Sequence, residues 1–250
     1  MFRFSVCPHD SAKNVAGWFF FNTYLQRNLG LDIHFEPGND FMEERELVLK
    51  GGFQIVYANP FSAVVFKTSL NYIPVARPIG LFDETILVAK EDPDSLLHRP
   101  LQIASATDKL IVHALGFSLL EKLGIPLSDC EFQFTGTHLK SIQYLIQDKV
   151  DLCFVFNETW NGLSNPARQG LKVIAETSSR EAYHCFFVLP EWSDKFEKIQ
   201  ELLCNMQNNE QGKRVLEELK LLNGFEPISP SSLDGMINLV NKMELLYKLK

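Results

Sequence analysis

Two hydrophobic periods alternate along most of this chain, a period of two and then one near 3.6, and that alternation constrains the fold more than any single motif. "FRFSVC" at the start alternates as a strand, and Asp10 or Ser11 is placed to cap a helix running to about Asn28, with Gly30 as its stop. "LDIHFE" is a strand again, and "FMEERELVLK" is a helix ending at Gly51 and Gly52. "FQIVYA" then reads as a buried strand, Pro60 to Lys67 as a short helix and "YIPVA" as another strand. Strand-helix-strand repetition of this kind predicts an α/β fold, a mostly parallel sheet with helices on both faces.

A second set follows. "TILVAK" (85–90) and the loop "EDPDSLLHRP" lead to a strand at 101–104 and a helix at 108–122, closed by Gly124 and Pro126. Strand "EFQF" passes through Thr135, Gly136 and Thr137 into a helix at 138–148, and "VDLCFVF" completes a smaller α/β unit. After "VIAE" and the apolar strand "YHCFFVLP", residues 191–205, 208–222 and 231–249 read as three helices with no further strand. Helices without strands need an existing surface to cover. The economical arrangement is two lobes, the first made of 1–83 with 190–250 and the second of 84–189. The strands near 85–90 and 184–189 are the expected crossovers, and two crossovers make a hinge.

The totals exclude several function classes. With 250 residues, 46% of them hydrophobic and 20 of them Phe, the chain can bury a sizeable core. A formal charge of −7 and no Lys/Arg cluster argue against nucleic acid as a partner. The longest aromatic run, Gly17 to Phe21, is soon interrupted by Asn22 and Gln26, far short of a membrane span. "MFRFSVC" enters a strand pattern at once with no leader-like segment, which points to the cytoplasm, or to the periplasm if a leader has been removed. Five cysteines at 7, 130, 153, 185 and 204 are odd in number, widely spaced and set in apolar runs, so they read as reduced core thiols. No CxxC and no His/Cys cluster in sequence suggests a metal. GxSxG, HExxH, GxxxxGK[ST] and GxGxxG are all absent, so no catalytic residue and no cofactor is indicated.

In open α/β sheets ligands sit beyond the carboxyl ends of strands. Four such loops carry polar groups: "PHDS" (8–11), "YANPFS" (57–62), "SATD" (105–108) and "TGTH" (135–138). Each has a plainer reading. Ser105 and Thr107 can be ordinary helix caps, and Asp108 suits the first turn of a helix by its charge. Asn59 before Pro60 is a common turn, His9 and Asp10 suit capping, Trp18 to Phe21 suit core packing, and Glu43, Glu44 and Glu46 read as a solvated helix face. His138 at a helix start favours a neutral, hydrogen-bonding imidazole, because a cation there opposes the helix dipole.

Three stretches in order carry a family resemblance: "SLLHRPLQIASATDKL", "GIPLSDCEFQFTGTHLKSIQYLIQDKVDLCFV" and "NGFEPISPSSLD". From near Phe4 to near Asp234 the chain resembles the substrate-binding proteins of phosphate, phosphite and phosphonate ABC transporters, which have the type 2 periplasmic-binding-protein fold. The resemblance implies a non-enzymatic protein that closes two lobes on a small polar ligand, as a transport component beside an ABC permease or as a sensor beside a signalling protein. By the same resemblance Ser105, Ala106 and Thr107 would hold an oxyanion, His138 would add a contact, Glu158 in "VFNETW" would receive an amine, and Tyr57 and Asn59 would close the pocket from the first lobe. Asp108 stands where the family usually has Gly, Asp83 stands in place of a stacking Tyr, and "TSSREAYH" replaces a proline-rich loop. Two added carboxylates favour an amine-bearing, zwitterionic ligand over inorganic phosphate. Enzymes of the menaquinone and thiamine-pyrimidine pathways share this architecture and form the alternative class. A paralogue that has lost its ligand is a third.

Overall fold

The computed structural model describes residues 1–91 and 100–248. Its elements run β1 (Phe2–Val6), α1 (Pro8–Lys13), α2 (Val15–Leu29), β2 (Ile33–Pro37), α3 (Phe41–Leu49), β3 (Ile55–Ala58), α4 (Pro60–Leu70), β4 (Ile73–Pro78) and β5 (Thr85–Ala89). After them come β6 (Leu101–Ser105), α5 (Ile111–Lys122), β7 (Cys130–Phe134), α6 (His138–Ile146), β8 (Leu152–Phe156), α7 (Asn157–Asn161), α8 (Asn165–Arg168) and β9 (Lys172–Glu176). The chain ends with β10 (Cys185–Val188), α9 (Phe196–Cys204), α10 (Glu210–Glu218), β11 (Phe225–Pro227) and α11 (Asp234–Lys248). Most of the loop expected at 91–100, including the start of the first family-like stretch, lies outside the described residues.

Two compact units result, Met1–Leu81 with Tyr183–Asp234 and Phe82–Ala182 with Gly235–Lys250. The first holds a sheet in the order β11-β4-β10-β3-β1-β2, parallel at β1/β2 and β1/β3 and antiparallel where β10 and β11 return. The second holds a sheet in the order β7-β6-β8-β5-β9, parallel at β6/β7 and β6/β8 and antiparallel around β5. These assignments move two expected boundaries. Residues 184–189 pair with β3 and β4 inside the first unit's sheet, not across two lobes, and residues 235–250 group with the second unit. Strand β5 lies wholly within the second sheet. The segment 191–249, expected to hold helices alone, does contribute a strand, β11, which pairs with β4 through Glu226 and Arg77.

Local chemistry explains the remaining differences. Asn14 breaks the expected first helix: its backbone is extended at φ −158°, and its side chain accepts from the Gly17 amide at 2.9 Å to start α2 afresh. Gly30 ends α2 in the left-handed region at φ 69°. Leu110 is extended as well, so α5 starts at Ile111, and Asp108 lies in the preceding turn with no dipole to complement. The "SATD" hydroxyls do not cap α5, which has no side-chain cap. Within Trp18–Phe21, Trp18 and Phe21 are core whereas Phe19 and Phe20 are about half exposed. Phe21 stacks on Phe186 at 5.2 Å amid Phe4, Trp18 and Phe225 in the core of the first unit.

In the second unit, Ile86, Val88, Ile142, Val155 and Trp160 pack on one face of the sheet. On α5, a Cβ at Gly116 would come within 2.4 Å of the Phe154 ring, so the helix approaches β8 that closely only because a glycine stands there. Among the described residues no disulfide joins the five cysteines, and all but Cys204 are buried.

Candidate functional site

In the second unit β6, β7 and β8 are parallel neighbours, so their carboxyl ends share one sheet edge. β5 runs antiparallel to β8 with Thr85 opposite Phe156, which puts its amino end on the same edge. This edge gathers Asp83, Glu84, Ser105, Ala106, Thr107, Asp108, His138 and Glu158.

Backbone bonds stitch two of the loops together. The Thr135 amide donates to the Ser105 carbonyl at 2.9 Å and the Gly136 amide to the Ala106 carbonyl at 2.8 Å, extending the β6/β7 ladder past the strands. Thr135 Oγ1 is held by the Ser141 hydroxyl at 2.8 Å, and Thr137 caps α6 by accepting from the Lys140 amide at 3.1 Å. His138 is therefore the first helical residue of α6, its ring 6.0 Å from that of Phe156. Thr107 Oγ1 accepts from the Lys109 amide at 3.2 Å and lies 3.3 Å from Asp108 Oδ1, while Lys109 Nζ is 3.4 Å from the other Asp108 oxygen.

Ser105 differs from these. It is 1% exposed, and its hydroxyl makes no hydrogen bond among the described residues. A buried polar atom without a partner costs roughly 1–3 kcal/mol and calls for a reason. A second such atom is Glu84 Oε2: the other oxygen of that carboxylate accepts from the Arg180 amide at 2.8 Å. Neither Glu84 nor Asn157, which accepts from the Glu84 amide at 3.2 Å and donates to the Phe82 carbonyl at 3.1 Å, stood out in the sequence. Glu158, next along the chain, is exposed.

In the first unit, β1 and β3 end at one edge, where antiparallel β10 begins with Cys185 opposite Ala58. Here the expected ligand residues are engaged with their own unit. Asn59 caps α4, accepting from the Ser62 amide at 3.0 Å and donating to Ser62 Oγ at 3.1 Å. The Tyr57 ring belongs to the aromatic core, 4.7 Å from Phe186 and 5.0 Å from Trp18. Asp10, within α1 and not capping it, pairs with His184 Nδ1 at 2.7 Å. Burial pushes its carboxyl up, but the charge and hydrogen bond of His184 outweigh burial and hold it well below the usual carboxylate range. Cys7 Sγ completes a group with Asp10 and His184 in which one ligand atom from each lies within 4.8 Å of the others.

A family model for the periplasmic substrate-binding protein of phosphonate ABC transporters matches residues 4–233. The chain belongs to that family. Solved structures share its fold at low sequence identity. PhnD1 of Prochlorococcus marinus, solved with methylphosphonate, has a TM-score of 0.76 at 13% identity, with 97% of this chain and 98% of that one covered. A Xanthomonas citri protein solved with ATP gives 0.77 at 12%, covering 99% and 98%. A binding-protein component of a Pseudomonas aeruginosa phosphonate transporter gives 0.73 at 16%, covering 98% and 87%. No curated protein matches the sequence. This family member is thus a solute-binding protein of the type 2 kind, related to ABC transport, and the enzymatic alternative draws no support from its family. The family is periplasmic, and among the described residues no helix is long and apolar enough to cross a membrane.

Proposed function

We propose that this protein captures a small phosphonate-class ligand at the carboxyl edge of its second sheet and delivers it to an ABC permease on the periplasmic side of the membrane. The oxyanion head is held by the Ser105 hydroxyl, the backbone amides of Ala106 and Thr107, the Thr107 hydroxyl and a neutral His138. A cationic arm is received by the carboxylates of the same edge, with Glu84 as the acceptor and Asp83, Asp108 and Glu158 contributing field. The observation that carries the reading is the buried Ser105 hydroxyl, which has a donor to give in a loop tied to the start of α6. Glu84 Oε2 supports the amine arm in the same way. Tyr57 and Asn59 serve the first unit's packing in this proposal, and closure of the two units on the ligand is a further part of it.

A thermal-shift panel of phosphate, methylphosphonate and 2-aminoethylphosphonate tests the reading. A ligand at a hundredfold its Kd adds about 2.7 kcal/mol, a shift of roughly 5–10 °C for a chain of this size. The aminophosphonate is expected to shift Tm most, and Ser105→Ala to cut that shift to about half or less. An equal response to phosphate overturns the amine arm, and no response to any of the three overturns the proposal. A ligand-dependent fall in the radius of gyration by small-angle scattering tests closure.

A further inference from the structure

We propose that Cys7, Asp10 and His184 form a site for one borderline-soft divalent cation of the Zn2+ class, bound by one sulfur, one carboxylate oxygen and one imidazole nitrogen. Sulfur, nitrogen and a single carboxylate exclude Mg2+ and Ca2+, which require oxygen shells, and suit Zn2+ or Co2+. The geometry is close to what such a cation needs. Bonds of about 2.0–2.3 Å at tetrahedral angles set ligand atoms about 3.3–3.6 Å apart. Asp10 Oδ2 and His184 Nδ1 stand 2.7 Å apart and need only part slightly, while the widest separation in the group, 4.8 Å, closes by a small side-chain adjustment.

The surroundings of the sulfur point the same way. Asn59 Nδ2 donates toward Cys7 Sγ at 3.7 Å. An N–H group aimed at the sulfur is what a metal-bound thiolate receives from its surroundings, and it orients it. Asn59 in turn is fixed by Ser62, so the donor is held in place. Charge also balances: a thiolate and a carboxylate together neutralise one divalent cation. Cys7 is fully buried, whereas the side chains of Asp10 and His184 keep 19% and 12% exposure, so the cation has a way in past the two outer ligands. Binding is a plain exchange without redox change: the Cys7 proton, and any on His184, leaves to solvent as the metal bonds form. Three protein ligands leave a fourth position for water or an oxygen ligand.

The test needs metal alone. The full chain, stripped with a chelator and kept reduced, is titrated with Co2+ while the thiolate-to-cobalt charge-transfer absorption is followed, and Zn2+ is then added to displace it. Saturation at one equivalent is expected, with the band lost in Cys7→Ser, kept in Cys204→Ala, and the affinity lowered by at least ~10-fold in His184→Ala. No band, or a band that survives Cys7→Ser, overturns the proposal. Should Cys7→Ser fail to fold, His184→Ala decides alone, because unchanged Co2+ affinity there is equally fatal. Phosphonate binding plays no part in these readings, so failure here leaves the proposed anion site untouched.

Discussion

Asn59 in the first unit and Ser105 in the second occupy the same kind of place, a buried polar residue where a strand meets the loop that follows it. Asn59 uses both ends of its amide inside the protein, on Ser62 and Cys7. The Ser105 hydroxyl bonds to nothing among the described residues. Around them, Asp10 and His184 pair at 2.7 Å in the first unit, while the second stitches its loops by backbone bonds. Burial of a polar group is therefore uninformative until its partners are counted.

The bluntest way to break the comparison is to damage one unit and watch the other. Phe186→Ala in the first core and Phe154→Ala in the second should each cost about 3–5 kcal/mol, seen by chemical denaturation. Hydrogen exchange should show protection falling mainly in the unit that carries the change, and equal loss in both would mean the cores are not independent.

Next come opposite responses to pH. Glu44, read from sequence as solvated, is buried on α3, where it accepts from Ser5 Oγ at 2.9 Å. Burial pushes its carboxyl up from 4.5 to about 7, against the pull of Ser5 and Arg45. The folded first unit thus holds a proton that the unfolded chain lacks, and its contribution, full below pH 4.5, is lost as pH rises toward 7. In the second unit, burial drives His113 down from 6.5 to about 3, with Phe117, Phe132, Phe154 and Tyr247 around the ring. There the unfolded chain holds the extra proton, so the second unit weakens as pH falls below 6.5 toward 3. Each effect is on the order of 3 kcal/mol or more across its window. Exchange rates measured in each unit between pH 4.5 and 6.5 should move in opposite directions, and Glu44→Gln and His113→Gln should flatten their own unit only.

A finer test separates stability from affinity. Asn59→Ala should cost about 1 kcal/mol as a lost helix cap and leave phosphonate affinity unchanged. Ser105→Ala should cost no stability yet lower that affinity about 10-fold or more, by calorimetric titration. The reverse pattern would exchange the roles assigned to the two edges. The smallest effect belongs to the surface: Lys242 and Glu121 pair at 2.6 Å between α11 and α5 but are mostly exposed, so Lys242→Ala should change Tm by the equivalent of less than ~1 kcal/mol.

Much of this molecule is legible without coordinates. Periodicity marks nearly every strand and most helices, because burial on one face of a strand or helix is written locally in the order of residues. Gly30, Asp40 and Thr137 do at their helix ends what their chemistry dictates. The loops "SATD" and "TGTH" stand out because parallel strands point their following loops to one edge, and the structure joins the two by hydrogen bonds. What misled were features decided by neighbours distant in sequence. The start of α5 depends on a single extended residue, Leu110, and Glu44 looks solvated until Ser5, thirty-nine residues earlier, is found beneath it. β11 is too short to announce itself and exists because β4 offers an open edge.

The chain's own order, then, determined its α/β character, the pairing of elements into two sets and the loops where polar groups gather, since all of these follow from spacing along a few tens of residues. Only the tertiary structure decided which of those polar groups are spoken for. His184 stands more than 170 residues beyond Cys7 and Asp10, and no pattern in sequence could bring the three together. Their meeting follows from β10 running back antiparallel beside β3, which returns its first residues to the edge where β1 ends.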